Sequence, residues 1–374
     1  MSQSRRAFLR LAAAGGALGR IGGTVVSLPP RELPVEPAPR RQRILILGGT
    51  GFIGPHLVRH ALARGHEVTL FNRGKTNPGL FPEVPQLRGD RSTGDLSALR
   101  GKKWDAVIDD AATIPRWVRQ STDALKGAAD YYLFVSTISV YSFRGEVLDE
   151  NAPLKPALPD PTTEDMQGGR NYGPMKALCE QVALGAFPGR SSVLRCSYIV
   201  GPGDPTDRFT YWAVRTDRGG DMLAPGDPTD PFQLIDVRDL TEWMIHVAEE
   251  RVAGIYNTGG PRSPLSIAEL LAGMRAVVDP NRAISLTWVP TAFLDEHKVR
   301  LPIWDPPRGE FQGMRFVHDR ALEEGLKFRP LAVTVRDLLD WWKGLPAERH
   351  ANPRSFLPAD QEREILAAWR AVKQ

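Results

Sequence analysis

From residue 43 onward, short apolar runs alternate with longer amphipathic stretches. RILILGG (43–49) is an almost continuous apolar run ended by glycines, the pattern of a strand buried on both faces. FIGPHLVRHALARG repeats its apolar positions at helical spacing and ends at Gly65, a residue type that stops helices. HEVTLFN predicts a second strand, and WDAVIDDAA and YYLFVST predict two more, separated by a helix from about Pro115 to Lys126. NYGPMKALCEQVALGAF predicts a long helix, and SSVLRCS the strand after it. Strands alternating with helices predict an α/β fold: a Rossmann-type, doubly wound parallel sheet covered on both faces.

Beyond Gly201 the pattern loosens. GPGDPTDRF and APGDPTDPFQ read as Pro/Asp-rich loops. A strand is expected at Leu234–Val237, a helix over Arg238–Ala248, and further helices over Ser266–Val278 and Val335–Trp342. QEREILAAWRAV places Ile365, Leu366, Trp369 and Val372 on one helical face, the spacing of a core-facing stripe. The expected organisation is a leader (1–28), a Pro- and Arg-rich linker (29–42), and a dinucleotide-binding domain (43–200, with 231–260 returning to it). A smaller, partly discontinuous substrate domain (201–230 and 261–345) and a helical extension (346–374) complete it.

Composition is that of a globular chain, 42% hydrophobic and 25% charged, long enough at 374 residues for a large core. The net charge of +4 would invite a nucleic-acid reading, but Arg5, Arg6, Arg10 and Arg20 stand in a leader without acids. Without them the chain is formally neutral, so nucleic acid is not expected as a partner. Cys179 and Cys196 both fall in predicted elements and read as buried thiols rather than a disulfide. No Cys/His cluster predicts a metal.

The leader contains SRRAFLRLAAAGG, which resembles a bacterial twin-arginine export signal: paired arginines, then a weakly apolar Ala/Gly run. Arg20 interrupts that run, and no clean small-residue cleavage site precedes Pro29. The resemblance implies a periplasmic destination, with an uncleaved signal as the one route to membrane anchoring; otherwise the chain is cytoplasmic.

In ILILGGTGFIG, Gly48, Gly51 and Gly54 are spaced three apart between a strand and a helix. Glycine there allows a tight turn and close approach of a pyrophosphate, while the helix starting near Phe52 and Ile53 presents free amides. An NAD site usually carries an acid at the end of the second strand. Here Asn72 and Arg73 stand there, which favours NADP over NAD, because arginine pairs with a 2′-phosphate and asparagine does not repel one. Asp90 is either an adenine acceptor or a turn residue. YGPMK puts Tyr172 and Lys176 one helical turn apart, with Asn171 as the expected N-cap and Pro174 harmless in the first turn. A phenol titrates near pH ~10, and bringing it to ~7 takes about 4 kcal/mol. An ammonium at ~4 Å supplies roughly that at an effective dielectric of ~20. The phenolate could then accept a hydroxyl proton as a hydride leaves for nicotinamide.

GGTGFIG, LRGD, FVSTISVY, YGPMK, LRCSYIVGPGD, FQLIDVRDL and GIYNTGG occur in the order found in the extended short-chain dehydrogenase/reductase superfamily. The chain resembles in particular its NAD(P)-dependent epimerase/dehydratase branch, over about residues 43–345. The resemblance implies Tyr172 as acid/base and Lys176 as its supporting cation, which also holds the nicotinamide ribose. It gives the hydrogen-bonding hydroxyl to Thr137, with Ser139 and Ser136 as the other candidates. It puts Ala111 and Ala112 beside the cofactor, and Tyr198 and Ile199 in the loop over the nicotinamide.

Two departures matter. Ile138-Ser139 stands where sugar-nucleotide dehydratases carry Asp-Glu, so that reaction is not implied, and Cys196 replaces a usual proline. TLFNRGK is also similar to the atypical branch that includes plastid stem-loop RNA-binding proteins.

The expected function is Tyr/Lys-assisted hydride transfer, by an oxidoreductase or isomerase, on a sugar-like or polyol small molecule. If the chain is exported, the reaction should be redox-neutral with tightly held cofactor. A non-catalytic dinucleotide sensor or an RNA-binding relative are the alternatives. Homodimerisation through helices near 114–126 and 172–187 is common in such relatives.

Overall fold

The computed structural model describes residues 35–142, 147–307, 313 and 315–372. It divides into two units, Met1–Val35 and Glu36–Gln374, and the second carries every element below. The leader, and with it the export reading, lies outside the described residues.

The chain opens with β1 (Arg43–Leu47), α1 (Ile53–Ala63), β2 (Glu67–Asn72), β3 (Gln86–Arg88) and β4 (Ala106–Asp109). There follow α2 (Pro115–Leu125), β5 (Tyr132–Thr137), α3 (Tyr172–Ala186), β6 (Ser191–Cys196) and β7 (Tyr198–Val200). Next come α4 (Arg208–Arg218), β8 (Gly220–Pro225), β9 (Pro231–Asp236), α5 (Val237–Glu250) and β10 (Gly254–Thr258). The remainder holds β11 (Gly260–Ser266), α6 (Ile267–Arg275), β12 (Ile284–Val289), α7 (Thr291–Glu296), α8 (Asp319–Glu323), α9 (Leu331–Lys343), α10 (Ala347–Ala351) and α11 (Ala359–Val372).

Seven parallel strands form the main sheet in the order β10-β6-β5-β4-β1-β2-β3. The expected Rossmann-type doubly wound sheet is therefore present. Its strands read as unbroken apolar runs because helices cover both faces: Ile44, Leu45, Ile46 and Leu47 are all inaccessible to solvent. One face packs on α1 and α5 through Leu57, Val58, Leu240 and Met244. The other packs on α2 and α3 through Val118, Leu125, Cys179 and Phe187. The order reverses at β1, so the segments leaving β1 and β4 diverge and open a crevice at their C-terminal ends, where such sheets bind ligands.

A second core forms around α4, α6, α9 and the parallel pair β8–β12, with Phe209, Trp212, Met222, Leu271 and Leu338 buried together. Ile365 and Leu366 of α11 join it and Trp369 packs against it, but Val372 stays 68% exposed and leaves the expected stripe. The stretch after Gly201 contains α4 and β8, which its Pro/Asp-rich surroundings hid. Residues 231–260 divide between sheets: β10 joins the main sheet beside β6, whereas β9 pairs with β7 and β11 in a three-stranded sheet. Gly65 follows α1 with φ +89°, as its helix-stop role requires. Asn171 stands at the N-cap of α3 but its side chain does not cap it, and its Nδ2 donates to the Asp165 carbonyl at 2.8 Å. Both cysteines are free and buried, and burial pushes each thiol up to about 12. Among the described residues no acid, Cys and His cluster could hold a metal, and no helix is long and apolar enough to cross a membrane.

Candidate active site

The turn after β1 shows what each glycine is for. Gly48 and Gly49 take φ +130° and +87°, which side-chain-bearing residues rarely adopt. A Cβ on Gly54 would fall 2.3 Å from the Gly49 carbonyl carbon, so its absence lets α1 sit directly on the turn. A Cβ on Gly51 would meet nothing within 4 Å. Gly51 lines a cavity of about 390 Å³ together with Gly48, Phe52, Ile53, Asn72, Arg73, Asp90 and Ala111. The bare backbone of Gly51 at a helix N-terminus is a seat an anionic group can approach.

Asn72 is committed to this turn. Its Nδ2 donates to the Gly48 carbonyl at 3.3 Å, and its Oδ1 accepts from the Gly74 amide at 2.9 Å and from Arg88. Arg73 is exposed at the rim with Lys75. Asp90 builds a turn, accepting from the Ser92 amide at 2.9 Å and the Ser92 hydroxyl at 2.7 Å, while its residue lines the cavity.

Two donors or acceptors on the inner wall were not anticipated. Trp117 Nε1 and Asp110 Oδ1 are buried without a hydrogen-bond partner among the described residues. Asp110 lines the cavity, and its Oδ1 lies 1.9 Å from where a Gly48 Cβ would stand. Burial, then the neighbouring Asp109, push its carboxyl up to about 7, against the pull of the Gly49 amide and Arg91. Asp109 itself is satisfied, by Arg91 Nη1 at 2.7 Å and the Tyr132 hydroxyl at 2.9 Å. The VIDD run offered both acids, but only the fold separates the one in an ion pair from the one with a buried oxygen left without a partner.

A second cavity, about 340 Å³, lies beyond Phe52, which lines both. Tyr172, Thr137, Ser139, Tyr198 and Ile199 line it, joined by Ser197, Asp204 and Arg208. Tyr172 and Thr137 line the same cavity, close enough for Thr137 to favour the ionised phenol, and the Thr137 Oγ1 accepts the Ser139 amide at 3.1 Å. Ser139 therefore contributes its backbone to the arrangement. Ser136 is used elsewhere: its hydroxyl donates to Glu180 Oε1 at 2.5 Å, within a buried pair of Glu180 and Arg195.

The expected Tyr172–Lys176 coupling is arranged differently. Lys176 Nζ donates to the carbonyls of Val135 at 2.6 Å and Ala112 at 2.8 Å and sits 4.4 Å from the Phe134 ring centre. An ammonium buried on the inner face of α3 must find acceptors, and β5 and the segment after β4 supply them. Burial lowers its pKa. Burial raises that of Tyr172, while Thr137 and then the nearby Arg208 charge oppose the rise. Lys176, Ala112 and Gly54 lie behind the cavity walls rather than on them; the other candidates all face one cavity or the other. Tyr198 donates its hydroxyl to Asp305 and carries the Arg208 guanidinium carbon 5.5 Å from its ring centre.

Residues 44–259, more than half of the chain, match the NAD dependent epimerase/dehydratase family, and the chain belongs to that family. It is 34% identical to the chloroplast stem-loop binding protein of 41 kDa b of Arabidopsis thaliana over 119 residues, 28% of this chain and 31% of that protein. Matches to the first of the curated relatives cover between 20% and 31% of those proteins' own length. A longer match, 26% identical over 320 residues, covers 79% of this chain and 99% of the epimerase family protein SDR39U1 of Bos taurus. The fold resembles that of Thermus thermophilus UDP-glucose 4-epimerase, solved in complex with NAD, with a TM-score of 0.57. That superposition covers 81% of this chain and 100% of the other at 22% identity.

Proposed function

We propose that the chain is an NAD(P)-dependent oxidoreductase or isomerase that moves a hydride to and from a hydroxyl-bearing carbon of a sugar-like or polyol substrate. The observation that carries this reading is that Tyr172 and Thr137 line one cavity, which shares Phe52 with the Gly51 seat. The residues fit a dinucleotide: Gly51 leaves room for a pyrophosphate, and Trp117 and Asp110 hold unpartnered polar atoms in the same cavity. Gly48, Gly51, Phe52 and Ile53 would hold the phosphates, and Asn72, Arg73 and Asp90 would surround the adenosine. Ala111, Tyr198 and Ile199 would flank the nicotinamide, with Lys176 and Ala112 bracing the wall behind it. The bound group supplies the hydride acceptor.

The chain's own residues handle the proton. Thr137 orients the phenol and the substrate hydroxyl, and Tyr172 takes the proton as the carbon is oxidised and returns it on reduction. Arg208, close enough for its charge to act on the phenol, stabilises the deprotonated form. The exposed Arg73 beside Asn72 supports NADP over NAD.

We further propose that the leader directs export through the twin-arginine route. Cofactor would then leave the cytoplasm with the folded chain and could not be exchanged. Only a redox-neutral cycle, such as oxidation followed by reduction from the other face, would turn over repeatedly. The deciding experiment purifies the wild type and Tyr172→Phe from a fractionated native host, identifies compartment and bound dinucleotide by mass spectrometry, and follows absorbance at the reduced-nicotinamide band as candidate polyols are added. Wild type should show the band with at least one of them and the variant should not, while both carry the dinucleotide. A variant as active as wild type would remove the reading, leaving a dinucleotide-holding protein without this chemistry.

A further inference from the structure

Arg73 and Asp110 are among the charged groups that face the first cavity, and Arg208 faces the second. The first two belong with the dinucleotide. Arg208 does not, because it lines the cavity of Tyr172 rather than that of Gly51. Its Nε donates to Thr206 Oγ1 at 3.0 Å, and its guanidinium lies over the Tyr198 ring. Tyr198 is fixed in turn by Asp305, so the cation rests on a braced platform.

Of the acids near Arg208, Asp204 lies close enough to feel its charge, but none forms an ion pair with it. Asp207, the residue before it, is paired with Arg349 and accepts the Arg354 amide at 2.8 Å. Asp204 Oδ1 accepts the Thr206 amide at 2.8 Å and the Thr206 hydroxyl at 2.7 Å. Among the described residues no carboxylate stands within ion-pair distance of the Arg208 guanidinium, and its two terminal nitrogens have no partner. A half-buried guanidinium with its forked end free, held by its stem and one face, is the geometry that receives an oxyanion in two parallel hydrogen bonds. The seat for the cofactor's own phosphates is on the far side of Phe52, so the oxyanion belongs to the substrate.

We propose that Arg208 selects an acidic substrate, binding a carboxylate or phosphate ester carried on the same small molecule whose hydroxyl reaches Tyr172 and Thr137. The inference deepens the proposed function by naming the substrate class and rests on it for the position of the reacting hydroxyl. Binding to Arg208 does not require turnover. The two can therefore fail separately.

The test measures dissociation constants by calorimetry for matched probes on the dinucleotide-loaded protein: glucuronate against glucose, gluconate against glucitol, and glucose 6-phosphate as the phosphate arm. At least one acid should bind ten times or more tighter than its neutral partner. Arg208→Met should bring that preference to within about twofold, and Arg208→Lys should keep part of it. Dinucleotide content and melting temperature of both variants should match wild type, which separates loss of the cation from loss of the fold; if Arg208→Met does not fold, Arg208→Lys and Arg208→Gln carry the comparison. A tighter carboxylate or phosphate arm identifies which oxyanion is preferred. Equal binding of acids and neutral partners, no binding of any acid, or a preference that survives Arg208→Met would each overturn the proposal. Acid binding lost in Arg208→Met alongside a Tyr172→Phe variant with unchanged turnover would instead retain Arg208 as the anion site and remove the role given to the phenol.

Discussion

The ammonium of Lys176 donates to the carbonyl of Val135 at 2.6 Å, on the side of α3 that faces the sheet. Four residues earlier, Tyr172 faces the cavity, which Thr137 also lines. Helical spacing puts the two on one face, yet they act on different neighbours. This separation makes a distinguishing prediction. Lys176→Met should leave the Val135 and Ala112 carbonyls without their donor and lower stability by about 1–3 kcal/mol, seen as a reduced melting temperature. It should hardly move the titration of the Tyr172 phenol, followed by ultraviolet difference spectroscopy in the dinucleotide-free protein with Tyr172→Phe as blank. Arg208→Met, by contrast, should move that titration to higher pH. A larger upward movement in Lys176→Met than in Arg208→Met would show that the lysine leaves its carbonyls to serve the phenol.

Gly51 and Gly54 belong to one motif but should fail in different ways. A Cβ at Gly51 projects into the open cavity, whereas one at Gly54 meets the Gly49 backbone at 2.3–2.6 Å. Gly51→Ala should therefore fold with near-normal melting and lose dinucleotide affinity tenfold or more. Gly54→Ala should lower the melting temperature before any ligand is added, since α1 must move off the turn and one overpacked site costs roughly 1–3 kcal/mol. Melting curves with and without added NADP separate the two; an equal loss of intrinsic stability in both variants would contradict the assignment.

The central strands of the sheet were legible in the sequence because they are buried on both faces and leave continuous apolar runs, whereas the edge strands β3 and β10, partly exposed, carried no such run. The glycine turn was legible for a similar reason: backbone geometry constrains residue type there. Asp110 and Arg208 were not. An acid beside another acid in VIDD, and an arginine in a Pro/Asp-rich loop, carry no periodicity. Their meaning depends on which neighbours are already paired, and those pairs span the fold, as Asp207 with Arg349 shows. The same loss of pattern hid α4 and β8, whose apolar residues pack among α6, α9 and α11 rather than on the main sheet. Lys176 shows the opposite failure: its spacing from Tyr172 was plain, but its long side chain is held by the carbonyls of Val135 in β5 and of Ala112 in the segment after β4.

Arg73 offers a test of cofactor choice. It stands exposed at the rim of the cavity, with Lys75 nearby and no acid at the end of β2. Arg73→Glu should weaken NADP binding by roughly tenfold, about 1.4 kcal/mol, and change NAD affinity much less, as measured by fluorescence of the reduced forms. Equal losses for both dinucleotides would mean that Arg73 does not read the 2′-phosphate.

Asp110 makes stability depend on pH with a definite sign. Burial and the neighbouring Asp109 push its carboxyl up to about 7, against an ordinary value of 3.8. Between those values the folded state holds a proton that the unfolded chain has released, so stability falls as pH rises through that window. A displacement of that size corresponds to at most about 4 kcal/mol, and the actual loss is smaller because part of the residue borders the open cavity. Asp110→Asn keeps the shape without the titration. Its advantage over wild type should be small at pH 4, grow to 1–3 kcal/mol by about pH 8, and be read from urea midpoints taken across that range. An anionic pyrophosphate beside the carboxyl would hold the proton more strongly, so dinucleotide affinity in wild type should also fall as pH passes 7, and fall less in the variant. A wild-type chain whose stability rose from pH 5 to pH 8 by as much as that of Asp110→Asn would mean that Asp110 is ionised throughout and paired with a donor.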